Sequence, residues 1–145
     1  MKTVLLIDDE QGFLEALADA LESEGHRVLK ARDAKTGLDL LASNRVDLVT
    51  IDIMLDPGGF EEGLIKSTET GLHLCKEIRR RYPLLDAFCV SVYSDTEIMK
   101  QVQPLRMRFL SKGETPLRTV LNMINSRLTG VAYSSDRERR TPWER

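Results

Sequence analysis

The sequence predicts an α/β fold, a five-stranded parallel sheet covered by helices on both faces. Three observations predict it. Strand-like runs and helical periods alternate five times along the chain. The strand-like runs are short and nearly continuously apolar, as strands buried on both faces are. Four of the five end on polar, reactive groups: Asp8, Asp9 and Glu10 after the first, Asp52 in the third, Ser91 in the fourth, Lys112 after the fifth. In open α/β sheets ligands bind beyond the carboxyl ends of the strands, where the strand order reverses. The second strand offers only Ala31 and Arg32, which fits an edge position and the order 2-1-3-4-5.

Thr3–Ile7 is a β-branched apolar run bounded by acids and reads as the first strand. From Glu10 to Glu24, Phe13, Leu17, Ala20 and Leu21 recur at helical spacing, and Gly25 stands where a cap belongs. Arg27–Ala31 is the second strand, and Asp33 can cap a helix that buries Ala34, Leu38 and Leu41. Val46–Ile51 is the third strand. Thr70 can cap a helix with Leu74, Cys75, Ile78 and Tyr82 inward, stopped by Pro83. Ala87–Val92 is the fourth strand, followed after Asp95 by a short helix that Pro104 interrupts. Met107–Leu110 is the fifth, marked as an edge by Arg106 and Arg108. A last helix opens near Thr115–Pro116, with proline in its first turn, and buries Leu117, Val120, Leu121, Ile124 and Leu128.

Composition narrows the function. The 145 residues are one domain's worth, 41% apolar and 30% charged. A net charge of −2 recruits neither nucleic acid nor an anionic membrane. No apolar run approaches the roughly 20 residues that cross a bilayer, and the N-terminus meets acids too early for a signal peptide. Cys75 and Cys89 sit in apolar patterns as buried thiols, which suits a reducing cytoplasm. No Gly-rich nucleotide motif opens a helix, so ATP is not an expected direct substrate. His26 and His73 are isolated, lack zinc spacing and read as surface residues.

The acids at the strand ends carry the chemistry. Carboxylates about 5 Å apart repel by roughly 3 kcal/mol at an effective dielectric of about 20. Three at one sheet edge need a counter-ion, and a hard divalent cation with oxygen ligands, Mg2+ (or Mn2+), fits best. A carboxylate such as Asp52 can itself attack phosphorus, with metal and ammonium offsetting the charge. The reading is phosphoryl transfer onto Asp52. Helix capping is the rival reading for Asp8 and Asp9, and one acid can do each. Glu10 reads as a first-turn helix residue. A metal phosphohydrolase is disfavoured, because Ile53 and Met54 follow Asp52 and no second acid stands two places on.

At this point the chain resembles the receiver domains of two-component response regulators, CheY-like and flavodoxin-like in fold. The matching residues are Asp8–Asp9 after VLLI, Asp52 in VTIDIML, Ser91 in VSVYSD and Lys112 in RFLSK, with Phe109 three before the lysine. The resemblance covers about residues 2–130. It implies that Asp52 accepts phosphate from a sensor histidine kinase. It implies further that Asp8, Asp9, Asp52 and the main-chain carbonyl of Met54 hold Mg2+, that Ser91 and Lys112 bind the phosphoryl group, and that Phe109 turns inward as the switch. Bulky Met54 and Tyr93, where side chains gate water in that family, predict a long-lived phosphate.

Three departures stand out. Asp56 replaces the usual proline, with Pro57 one later; Gly71 comes about ten residues late; and Gly113, not proline, follows Lys112. The domain is expected over 1–130, with an extended loop over 54–70 beside the acceptor and a polar, flexible tail over 131–145. That loop is either a solvated connection or a flap, with Phe60 or Leu64 packing down and Asp56, Glu61 or Glu62 adding charge near the metal. The tail, which holds Trp143 among Arg137, Arg139 and Arg140, is either disordered or a docking segment. Some fifteen residues after the last helix are too few for a DNA-reading domain. The signal is therefore expected to pass to an effector or a histidine phosphotransfer protein, without direct contact to nucleic acid or membrane. Homodimerisation stays open, and so does a phosphorylation-independent binding module.

Overall fold

In the computed structural model, residues 1–60, 67–92 and 96–130 are described. Five strands form one parallel sheet: β1 (Thr3–Ile7), β2 (Arg27–Ala31), β3 (Leu48–Asp52), β4 (Asp86–Ser91) and β5 (Arg108–Ser111), ordered β2-β1-β3-β4-β5. The helices between them are α1 (Gln11–Ser23), α2 (Ala34–Ser43), α3 (Thr68–Arg81), α4 (Thr96–Val102) and α5 (Leu117–Thr129). The expected class and strand order are both found.

Alternation along each strand sends side chains to two separate layers. Leu5, Ile7, Val49, Ile51 and Cys89 pack with Leu38, Leu74 and Ile78 of α2 and α3. Val4, Leu6, Leu48, Phe88 and Val90 pack with Leu14, Leu17, Val120 and Ile124 of α1 and α5. Every residue of β3 is buried, as its central position requires.

Boundaries shift where tertiary contacts outvote local signals. The third strand begins at Leu48, paired with Val4, and not at Val46. The fourth and fifth strands each slide by one, to Asp86 and Arg108. Ser67, not Thr70, caps α3, accepting from the Thr70 amide at 3.4 Å. Thr70 lies inside the helix and is fully buried. The extended connection therefore ends three residues before the expected limit of 70. Pro116 stands at the N-cap of α5, one place ahead of the first turn. His26 is half-buried, its Nε2 2.8 Å from Asn125 Oδ1 on α5.

The long connection is pinned at both ends. Leu55 and Ser67 exchange reciprocal backbone hydrogen bonds of 3.4 and 3.3 Å. On the other side, the Asp56 carbonyl accepts from Ala34 N at 2.9 Å, laying the loop against the start of α2. Gly58 takes φ +57 there, and a Cβ would overlap the Asp33 carboxylate. Phe60 is half-buried and lines a groove between α2 and α3 with Lys35, Leu38, His73 and Lys76. Leu64, Glu61 and Glu62, and with them that part of the flap reading, fall outside the described residues, as do Tyr93 and the tail.

Candidate functional site

The carboxyl ends of β1 and β3 bring three acids together. Asp8, Asp9 and Asp52 each offer an oxygen within 4.8 Å of the others. Asp8 and Asp52 are buried, at 3% and 4% exposure, because the flanking strands and helices close over that edge. Asp8 Oδ1 accepts from Glu10 N at 2.8 Å, an Asx-type turn just ahead of α1; Glu10 stands at the N-cap, and no side chain caps the helix. Asp52 Oδ1 accepts from Met54 N at 3.2 Å, which fixes the carboxylate against the turn that leaves β3.

Gly71 explains why a late third helix still reaches the site. A Cβ at Gly71 would overlap the backbone of Ile53, the residue after Asp52, so α3 rests directly on the chain as it leaves β3. Of the insertion's residues, Asp56 shares a polar cleft with Asp9, Arg32 and Asp33.

Lys112, just past β5, completes the cluster from the far side of the sheet. Its amide donates to Ser91 O at 2.8 Å, which sets the backbone beside β4. Its ammonium lies 2.8 Å from Asp8 Oδ2, 3.1 Å from Glu10 Oε2 and 3.6 Å from Asp52 Oδ2. The lysine thus lies closer to Asp8 than to Asp52, with which it keeps a longer ion pair. Ser91 is fully buried at the end of β4. Phe109 pairs in register with Cys89 and packs against the layer of α2, α3 and α4. By alternation, Ser91 shares that face.

Electrostatics follow from burial. Desolvation, then the charge of Asp8, pushes the Asp52 carboxyl up to about 8, with Lys112 opposing. Burial likewise raises Asp8, against its bonds to Lys112. Burial alone would lower Lys112, but Asp52 and Asp8 outweigh it and hold the group as an ammonium. When all three acids are ionised, one ammonium leaves two negative charges, the charge of a divalent ion. The donor set of carboxylate oxygens alone suits a hard cation such as Mg2+.

Of the residues singled out from sequence, Asp8, Asp9, Asp52 and Lys112 converge within a few ångströms. Ser91 and Met54 stand at the same sheet edge, and Phe109 lies on the neighbouring strand. Two contacts of the lysine were not legible. Glu10 read as a plain helix residue and Phe13 as part of a buried face, yet Lys112 Nζ lies 4.8 Å from the Phe13 ring centroid. Only the adjacency of Glu10 to the acidic pair hints at the first. No helix among the described residues is long and apolar enough to cross a membrane.

Known proteins resemble the chain in sequence and in fold. Over 82 residues the chain is 39% identical to the transcriptional regulatory protein AfsQ1 of Streptomyces coelicolor, covering 55% of this chain and 31% of that one. It is 30% identical over 99 residues to a cyclic di-GMP phosphodiesterase of Thermotoga maritima, 68% of this chain and 23% of that one. The chain thus spans about a quarter to a third of the curated relatives it matches. Among solved structures, a CheY-like receiver domain protein of Methanospirillum hungatei superposes with TM-score 0.74 at 22% identity, covering 90% of this chain and 95% of that one. The signal receiver domain of an HD domain-containing protein from Pseudomonas fluorescens gives 0.74 at 25%, over 89% and 95%. The family profile of the response regulator receiver domain matches residues 4–124, and the chain belongs to that family.

Proposed function

We propose that Asp52 is the phosphoacceptor of this receiver domain and that its phosphorylation switches binding to another protein. The observation that carries this is the buried cluster of Asp8, Asp9 and Asp52 with Lys112 at one sheet edge. A carboxylate oxygen of Asp52 attacks phosphorus while the bond to the donor breaks, the P–N bond when the donor is a phosphohistidine. The electron pair leaves with the imidazole. Mg2+ (or Mn2+), held by Asp8, Asp9, Asp52 and the Met54 carbonyl, would supply charge to the transferring group. Lys112 leaves Asp8 to pair with a phosphoryl oxygen, and the Ser91 hydroxyl binds another. Phe109 then turns toward the space that Ser91 vacates, a population shift driven by local charge.

A sensor histidine kinase is the donor, and an effector or a histidine phosphotransfer protein reads the result. Residues 1–130 form the domain, and 131–145 a tail. The protein is no enzyme toward other substrates; it labels itself from a small donor and loses the label slowly, since bulky, half-buried Met54 stands where water must approach. Two buried free thiols suit a cytoplasmic location. Intact mass after incubation with acetyl phosphate and Mg2+ tests the reading. One phosphoryl group on the wild type, absent without metal and absent in Asp52→Asn, is expected. No label from either acetyl phosphate or a histidine kinase would leave a phosphorylation-independent binding module.

A further inference from the structure

The ammonium of Lys112 is held by more than acids of the metal cluster. Its side chain is 6% exposed, with Asp8 Oδ2 at 2.8 Å and Glu10 Oε2 at 3.1 Å. The Phe13 ring lies beneath it, centroid at 4.8 Å, while Asp52 Oδ2 stands farther off at 3.6 Å. Glu10 immediately precedes α1 and Phe13 lies in its first turn, and both side chains reach the same ammonium. Glu10 occupies the N-cap, yet its side chain makes no capping hydrogen bond. Its carboxylate goes to the lysine instead.

We propose that Glu10 and Phe13 are positioning residues that park Lys112 against Asp8, at the longer distance of 3.6 Å from Asp52, and so set the cost of recruiting it to a phosphoryl group. This rests on the phosphoacceptor reading above. A ligand at Asp52 shifts the lysine only by as much as it binds the recruited state better than the parked one. Contacts made only when parked, an ion pair and a cation–π contact over the ring face, therefore weaken every ligand that needs the ammonium. Removing them frees the lysine without touching Asp52.

Beryllium fluoride, a stand-in for the phosphoryl group, gives an equilibrium test at saturating Mg2+, with affinity measured by calorimetry. Glu10→Gln and Phe13→Leu are each expected to tighten its binding by about two- to fivefold. Phe13→Tyr keeps the ring face and should match the wild type. Phe13→Leu is uncharged, so it separates parking from relief of long-range repulsion. Thermal midpoints identify any variant that gains affinity through a loosened fold, and Phe13→Met is then used in place of Phe13→Leu. A gain in Glu10→Gln alone, or unchanged or weaker binding in both, overturns the parking role. Failure of the wild type to bind beryllium fluoride with Mg2+ would sink the phosphoacceptor reading and this one together. Binding without a variant effect sinks only this one.

Discussion

A carboxyl held near 8 is mostly protonated at neutral pH, yet the roles of metal ligand and nucleophile proposed for Asp52 require it ionised. For Asp52 the cause is burial first and the charge of Asp8 second. Mg2+ binding should therefore expel a proton at neutral pH, and affinity should rise with pH and flatten above about 8. Titration calorimetry in buffers of different ionisation enthalpy measures that release directly. The metal-free fold follows the opposite trend. The folded carboxyl keeps its proton at pH values where the unfolded one, with an ordinary value of 3.8, has lost it. Stability is thus lost as pH rises from about 4 through about 8. Asp52→Asn should flatten that slope and raise stability at pH 8 by about 1–2 kcal/mol, since Lys112 keeps Asp8 and Glu10 as partners. A variant no more stable than the wild type at pH 8 would show that the acids do not strain the empty site. The convergence of Asp8, Asp9, Asp52 and Lys112 was legible because each stands at or just past the end of a parallel strand. The partner of the lysine was not, because Asp8 lies 104 residues away and no local pattern reports that contact.

The elements meet through two residues whose importance local signals conceal. Gly71 read as a late helix-opening glycine, but its role is to let α3 lie on the Ile53 backbone. Gly71→Ala should cost about 1–3 kcal/mol, measured by urea unfolding, and should slow labelling of the adjacent Asp52. That same contact explains the misplaced cap. Ser67 and Thr70 are both hydroxyl residues ahead of a helical period, and only the approach of Gly71 to Ile53 requires Thr70 to be inside the helix. Arg79 is the second residue. Its Nε donates to Leu105 O at 2.7 Å, and its Nη1 to the carbonyls of Tyr82, Pro83 and Leu85 at 3.0, 3.1 and 2.8 Å. The guanidinium thus ends α3, shapes the turn into β4 and ties both to the turn before β5. Arg79→Ala leaves carbonyls unsatisfied and should cost about 2–3 kcal/mol. Arg79→Lys should recover little, because an ammonium cannot span the same fork. Near-complete recovery with lysine would mean that charge, not geometry, does the work.

At the scale of the molecule, strand order was legible because parallel βαβ units allow few topologies and the silent end of β2 marks the edge. What the insertion does was not legible, since its composition fits a solvated loop and a flap equally. Its first residues settle on the α2 side. Asp56 and Pro57 bond to the start of α2, and Phe60 lines the α2–α3 groove. Joining Asp56 to Lys66 through a short Gly-Ser linker keeps the Leu55–Ser67 pairing that seats α3. Labelling of Asp52 should then proceed at the wild-type rate, with a stability loss of about 1–2 kcal/mol from Phe60 and the lost Lys35–Pro57 hydrogen bond. A changed rate of label loss would support the flap reading. The other end of the chain poses a cleaner question. α5 closes with Gly130 at its C-cap, and Val120, Ile124 and Leu128 already complete the layer over β4 and β5. If the domain is 1–130, truncation after Gly130 should leave stability within about 0.5 kcal/mol and labelling of Asp52 unchanged. A larger loss would place part of 131–145 in the fold. A changed labelling rate at equal stability would instead make the tail a regulator of the acceptor site, because no contact needed for folding would have been removed.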